Sequence, residues 1–314
     1  MPKKIVIALG GNALGKNLPE QMAAVKQTAK AIVDLIEEGH QVIIAHGNGP
    51  QVGFIMLRSE IARAVAGMHI VPLVSCVADT QGAIGYQIQQ ALDNVLRRRG
   101  LAEKAGRTVS LVTQVRVDIA DPGFSAPDKF VGEFYAEDQI PDLREQHPDW
   151  ILKPDANRGW RRVVPSPKPC EIIELDAVRS LLDAGFNVVA VGGGGIPVVR
   201  MPEGLFGVDA VIDKDLASTL LANQLGADLL AISTGVQNVA LNYGTPMQRP
   251  LHSVPVSEME RYLAEGHFPA GSMGPKIKAA VDFIRNGGTE VVITSPEFLN
   301  AALTQGAGTH ITRG

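Results

Sequence analysis

Three glycine-rich clusters are the feature of this sequence that most suggests chemistry. They occupy residues 10–12, 46–50 and 192–195, and each follows a short apolar run. Glycine lets the backbone approach a ligand closely, and its free N–H groups, with a helix N-terminus behind them, suit phosphate or carboxylate oxygens. One such cluster could be ordinary turn chemistry, but three at equivalent places indicate an anion site. The candidate residues are Gly10, Gly11, Asn12, Gly47, Asn48, Gly49, Gly193 and Gly194.

Two lysines stand where a helix should disfavour a cation. In residues 208–215, Asp213 is a natural N-cap and Lys214 falls in the first helical turn. In residues 271–276, Pro275 suits the first helical position and Lys276 follows it. A cation there opposes the helix dipole unless an anion binds between them, as in phosphoryl transfer. Asp209 and Asp213 could orient the ammonium groups; alternatively, each lysine is a solvated surface residue paired with a carboxylate.

Two nucleotide-binding motifs come close to matching and fail. Residues 10–17 nearly fit the P-loop pattern, but Asn17 replaces the hydroxyl residue that would bind Mg²⁺, and the helix is expected to start near Pro19. The glycines of residues 47–53 miss the dinucleotide spacing by one residue, so we do not expect NAD.

The histidines and cysteines do not suggest a metal site. No two of the seven histidines have helical ligand spacing, and for His46, inside a glycine-rich turn, we expect a structural hydrogen bond. Cys76 and Cys170 are widely separated, and we expect inert thiols.

Composition narrows the class of protein. The chain has 314 residues, 45% of them hydrophobic, which is typical of a globular protein with a sizeable core. Its formal charge of -4 shows no basic excess, so we expect no nucleic-acid partner. Apolar runs fall short of the roughly 18 to 20 residues that span a bilayer, so we expect no membrane partner and a cytoplasmic location.

Short apolar runs alternate with amphipathic segments along the chain. The predicted strands are residues 3–9, 41–45, 109–117, 187–191, 228–233 and 290–294. The predicted helices are residues 20–38, 51–66, 81–99, 175–184, 216–225 and 275–286. Continuous apolar strands alternating with helices predict an α/β fold, an open, mainly parallel sheet sandwiched between helices. Ligands of such sheets bind at the carboxyl ends of the strands, where the glycine clusters fall.

Residues 118–169 break this alternation. The segment holds eight prolines and both tryptophans without a clear helical or strand period. So long an excursion from a compact domain predicts a lid or a small protruding subdomain.

Several strings of the sequence resemble the carbamate kinases of the amino acid kinase superfamily. The resemblance runs almost end to end and is carried by residues 7–13, 46–53, 159–167, 192–197, 210–215 and 271–276. It implies one αβα domain over residues 1–314, with the acceptor in the N-terminal half and ATP in residues 205–314. It also implies a homodimer and a reversible phosphoryl transfer from ATP to carbamate, with Mg²⁺ bridging the nucleotide phosphates.

The resemblance also implies a role for each site residue. Gly10, Gly11 and Asn12 would meet the transferring phosphoryl group, and the turn of residues 47–49 would hold the acceptor. Lys214 and Lys276 would neutralise phosphate charge, with Asp209 orienting them, and Lys129 would be the catalytic lysine of the subdomain. The residues expected to bind the nucleotide are Ser233, Val236, Tyr243, Met273 and Gly274.

Residues 77–82, 127–132 and 233–236 depart from the commoner family pattern. Two alternatives therefore stay open. One is a kinase for another small carboxylate, such as an amino acid or N-acetyl amino acid. The other is a nucleotide-binding regulatory homologue with weak catalysis.

Overall fold

Strands and helices alternate along the chain, as the sequence predicts. The structure, a computed structural model, describes residues 2–10, 14, 17–155, 158–269 and 271–314. The strands are β1 Lys4–Leu9, β2 Gln41–His46, β3 Thr108–Ser110, β4 Gln114–Val117, β5 Lys129–Tyr135, β6 Ile151–Pro154, β7 Trp160–Val164, β8 Pro169–Ile172, β9 Asn187–Val189, β10 Ile196–Met201, β11 Gly204–Gly207, β12 Leu229–Ser233, β13 Ala240–Leu241, β14 Arg249–Pro250, β15 Ser253–Pro255, β16 Glu290–Thr294 and β17 Thr309–Thr312. The helices are α1 Leu18–Glu37, α2 Gly49–Ala66, α3 Leu73–Arg98, α4 Pro122–Ser125, α5 Ile140–Gln146, α6 Leu175–Asp183, α7 Lys214–Leu225, α8 Val256–Ala264, α9 Met273–Arg285 and α10 Leu299–Gln305.

An eight-stranded sheet forms the centre of the fold, in the order β15-β17-β16-β12-β1-β2-β9-β3. Its neighbouring strands are parallel except for the antiparallel pair β16 and β17. Alternate side chains of β1 enter different cores: Ile5 and Ile7 pack with α1 and α3, whereas Val6 packs with α6, α7 and α9. The α/β sandwich with a mainly parallel sheet is therefore confirmed. No helix of the described ranges is long and apolar enough to cross a membrane.

The sheet places the glycine-rich turns together. Strands β12, β1, β2 and β9 are consecutive neighbours and parallel, so their carboxyl ends lie at one edge of the sheet. Gly10 follows β1, Gly47 follows β2 and the 3-10 turn Gly192–Gly194 follows β9. The predicted clustering of the turns at one edge is confirmed.

Two boundaries differ from the prediction. The expected strand 109–117 is wrong: β3 belongs to the central sheet, and β4 belongs to a second sheet of order β11-β10-β4-β8. The chain changes sheets around Thr113, whose carbonyl accepts from the Ile196 N–H at the start of β10 and whose backbone also bonds the Gln81 side chain. Helix α3 begins at Leu73, eight residues before the predicted start, because Leu73, Cys76 and Val77 already bury an apolar face.

Residues 118–169 contain a small antiparallel sheet of order β5-β7-β6 together with α4 and α5. Arg161 binds this unit together. It donates to Asp155 at 3.1 Å and to the Gly132 carbonyl at 3.0 Å, and it lies 4.8 Å from the centre of the Phe134 ring. The aromatic residues that blurred the periodicity of this segment therefore pack against its arginines.

Candidate active site

The turns that follow β1 and β12 meet at Gly10. A Cβ at Gly10 would lie 2.6 Å from the carbonyl oxygen of Ser233, so only glycine allows the turns after β1 and β12 to approach this closely. Gly11 and Asn12, which complete the first predicted cluster, lie outside the described residues.

The second and third glycine turns also touch. Gly193 has φ +66°, and a Cβ there would lie 2.3 Å from Nδ2 of Asn48. Gly194 packs against the Ile212 carbonyl, just before Asp213. The Gly47 N–H donates to the Leu9 carbonyl at 2.9 Å, which ties the second turn to the end of β1. Gly10 and the second and third turns, predicted from three distant parts of the sequence, thus lie close together in the fold.

His46 supports the second turn as a neutral side chain. It is buried, and its Nδ1 lies 2.9 Å from the Gly47 carbonyl. Burial lowers the pKa of His46 to about 4, and the nearby charge of Lys214 lowers it further, against the opposing effect of the Gly47 bond. The neutral ring therefore donates from Nδ1 to the carbonyl, as the expected structural hydrogen bond requires.

Lys214 and Lys276 share one buried carboxylate. Asp215 is 3% exposed; its Oδ1 pairs with Lys214, and its Oδ2 lies 3.2 Å from Nζ of Lys276. Burial alone would raise the pKa of Asp215, but the charges and hydrogen bonds of both lysines lower it below its usual value. Asp215 stays ionised and holds the two ammonium groups side by side.

Lys129, the first residue of β5, reaches the same place. Its Nζ donates to Oδ2 of Asp213 at 2.9 Å, while Oδ1 of Asp213 accepts from the N–H of Asp215 and caps α7. The N-cap predicted at Asp213 is confirmed, and Lys214 is the first residue of α7. Three ammonium groups therefore face two carboxylates, which leaves net positive charge for an anionic ligand.

Asp209 does not orient the lysines, and this expectation is corrected. Its Oδ2 accepts from Arg162 at 2.5 Å, and within the described part of the chain it makes no ion pair with Lys214 or Lys276. It lines a separate cavity of about 970 Å³, whose lining also includes residues of α2 and α5. The residue that sequence reasoning missed is Asp215. The sequence did contain an indication of its role: Asp215 is an acid in the first turn of a helix, next to Lys214, a cation that needs a partner there.

The start of α9 also differs from expectation. The helix begins at Met273 with Ser272 as N-cap, so Pro275 is its third residue and not its first. Proline is tolerated there because the first N–H groups of a helix have no intrahelical partner. Lys276 still lies in the first turn, and Gly274 beside it is buried, with its N–H bonded to the Pro269 carbonyl at 2.9 Å.

A cavity of about 490 Å³ opens beside the lysines, a volume typical of small-ligand sites. Of the predicted nucleotide residues, Ser233, Val236, Tyr243 and Met273 line it, together with Gly10, Lys214 and Lys276. Gly274 does not line it. The lining residues that sequence reasoning missed are Thr234, Gly235, Asn238, Ala240, Phe268, Pro269, Gly271 and Ser272. A cavity whose lining combines apolar residues with two lysines suits an apolar base joined to phosphates.

No group of three or more His, Cys, Asp or Glu side chains within the described ranges could hold a metal ion. Cys76 is buried, and burial raises its pKa to about 11, which keeps it an unreactive thiol. Cys170 is exposed and unpaired by any disulfide.

Comparison with known proteins agrees with this geometry. The model of the amino acid kinase family matches residues 3–295. The carbamate kinase-like protein YahI of Escherichia coli (strain K12) is 48% identical over 319 residues, covering 100% of both chains. The carbamate kinase of Pyrococcus horikoshii is 46% identical, covering 99% of this chain and 100% of its own. The solved structure of carbamate kinase from Giardia lamblia bound to AMP-PNP superposes with a TM-score of 0.91 at 42% identity, covering 99% of this chain and 98% of that chain. The chain belongs to the amino acid kinase family and, within it, to the carbamate kinases.

Proposed function

We propose that the chain is a carbamate kinase, an ATP-dependent enzyme that moves a phosphoryl group reversibly between ATP and carbamate. One observation carries the proposal. Asp215 holds Lys214 and Lys276 in the lining of the 490 Å³ cavity, which Gly10 at the end of β1 also lines. This arrangement supplies positive charge and backbone donors between a nucleotide and a very small acceptor.

The residues act by position and charge. The cavity holds ADP or ATP with its phosphates toward Lys214 and Lys276, and the turn of Gly47, Asn48 and Gly49 holds the acceptor. Transfer between aligned oxygens needs no covalent enzyme intermediate, because phosphoryl transfer depends on positioning and charge stabilisation. Lys214 and Lys129 stabilise charge on the transferring group, while Asp215 keeps the lysines in place.

Mg²⁺ is proposed to arrive with the nucleotide. Asp213 and Asp215 are both engaged by lysines, and the described residues offer no ligand cluster of their own. Mg²⁺ keeps several waters and is commonly bound through substrate phosphates, so these residues fit a nucleotide-borne ion better than a protein-held one. When bound, it would neutralise charge on the phosphates.

Further proposals concern organisation. Residues 205–314 form the nucleotide half, since most lining residues of the 490 Å³ cavity belong to it. Residues 118–169 are a lid that delivers Lys129. We also propose that the protein is a homodimer in the cytoplasm and acts on small molecules. Its formal charge of -4 argues against a nucleic-acid partner.

An acceptor comparison tests the substrate. Purified protein with ATP and Mg²⁺ is offered carbamate, glutamate or N-acetylglutamate at equal concentrations, and ADP release is followed in a coupled assay. We expect release only with carbamate, because the acceptor site is built from short turns. Faster turnover with either larger acceptor would reassign the substrate. ADP binding by calorimetry without any turnover would instead favour a regulatory homologue.

A further inference from the structure

Two consecutive side chains of α3 connect the glycine turns from behind. Thr80 and Gln81 are 1% and 2% exposed. Successive residues of a helix point about 100° apart. One helix can therefore hold two neighbouring turns, and here Thr80 contacts Asn48 while Gln81 contacts Gly192.

The Thr80 hydroxyl determines which way the Asn48 amide faces. Its proton is donated to the Val77 carbonyl at 2.7 Å, so its oxygen is left to accept from Nδ2 of Asn48 at 2.9 Å. A hydroxyl carries one proton, and Oδ1 of Asn48 consequently faces away from Thr80. Gly193 packs directly against the Asn48 amide. The orientation of this amide therefore also sets the contact between the second and third glycine turns.

Gln81 fixes the third turn in the same way. Its Nε2 donates to the carbonyls of Gly192 at 2.9 Å and Thr113 at 3.1 Å, and its Oε1 accepts from the Thr113 N–H at 2.8 Å. Every hydrogen of this buried amide is used. Such fully satisfied polar networks make a local arrangement unique.

We propose that Thr80 and Gln81 are positioning residues for the acceptor, with Thr80 acting through Asn48 and Gln81 acting through Gly192. The inference rests on the proposed function of the turn at residues 47–49. Both side chains are buried, and they act by fixing the direction of the donors and acceptors in the two turns. Residues 77–82, which depart from the commoner family pattern, thus lie directly behind the acceptor turn.

Thr80→Val tests the inference, since it keeps the shape and removes the hydroxyl. We expect the KM for carbamoyl phosphate to rise about tenfold, because a buried donor loses its partner. The KM for ADP and kcat should stay within about twofold. Thr80→Ser, which keeps the hydroxyl, should have a KM for carbamoyl phosphate close to that of the wild type.

Thr219→Val is the matched control. Thr219 is also a buried threonine inside a helix, and its hydroxyl also donates to a carbonyl, that of Ala279 at 3.2 Å. Both valine variants should lower the melting temperature, but only Thr80→Val should change the KM for carbamoyl phosphate. An unchanged KM, an equal rise for both substrates, or failure of Thr80→Ser to restore it would overturn the inference.

Hydrogen exchange provides a readout that does not need activity. In Thr80→Val, amides of residues 46–53 and 192–195 should exchange faster than in Thr219→Val. If the wild-type protein forms no ATP from carbamoyl phosphate, the proposed function fails, and this comparison still decides on Thr80. Unchanged exchange in both segments would reject the positioning role.

Discussion

Asp215→Asn should separate catalysis from nucleotide binding. The substitution keeps the side-chain shape but removes the charge that Lys214 and Lys276 share. Two unit charges about 6 Å apart, the span across one carboxylate, repel by about 3 kcal/mol at an effective dielectric constant of about 20. The repulsion would move the lysines apart, and kcat should fall about a hundredfold, since each 1.4 kcal/mol is about a factor of ten.

Nucleotide affinity should respond in the opposite direction. Two ammonium groups without their carboxylate attract phosphates, so the KM for ADP should stay equal or fall. The free protein should melt earlier, and saturating ADP should restore part of that loss. Steady-state ATP formation and thermal unfolding with and without ADP measure these effects.

Asp209→Asn is the matched control for this prediction. Its carboxylate is half exposed and paired with Arg162, so kcat should stay within about threefold of the wild type. A kcat within threefold for Asp215→Asn, or an equal loss in Asp209→Asn, would refute the assignment of Asp215 as the organiser of the lysines.

Four further variants test the three lysines and the buried histidine. Lys129→Ala should impair turnover with carbamoyl phosphate and leave ADP binding and melting almost unchanged; full activity would show that the subdomain lysine is not catalytic. Lys214→Ala should lower kcat by roughly 10² to 10³ with ADP affinity retained, whereas Lys276→Ala should also weaken ADP binding in calorimetry; the reverse pattern would exchange their roles. Because the pKa of His46 is lowered to about 4 in the folded chain, the unfolded chain binds its proton first. The contribution of His46 to the free energy of unfolding should be complete above about pH 6.5 and fall by about 3 kcal/mol toward pH 4. Urea unfolding of His46→Gln should show a shallower slope in that window, and an identical slope would contradict the neutral histidine.

The sequence was sufficient to predict the edge of the sheet at which the site lies. Glycines after β1, β2 and β9 converge because parallel neighbouring strands end at one edge, and this follows from topology without side-chain detail. Lys214 and Lys276 could be singled out because a cation at a helix start is unfavourable without an anion.

The sequence could not predict which carboxylate serves the lysines. Asp209, Asp213 and Asp215 lie within seven residues, and only the path of the chain into α7 turns Asp215 inward and Asp209 toward Arg162. The same limit explains the error at residues 109–117. One apolar run crosses from the central sheet to the second at Thr113, and the partners of the Thr113 backbone, Gln81 and Ile196, are distant in the sequence.

ATP formation from ADP, Mg²⁺ and carbamoyl phosphate is the most direct measurement of the proposed activity and its site. Luciferase detection of ATP would be run on the wild-type protein and on Lys214→Ala at the same protein concentration. We expect sustained ATP formation by the wild type and a rate lower by at least about a hundredfold in the variant. No ATP from the wild type, or equal rates from both proteins, would contradict a carbamate kinase centred on Asp215 and its two lysines.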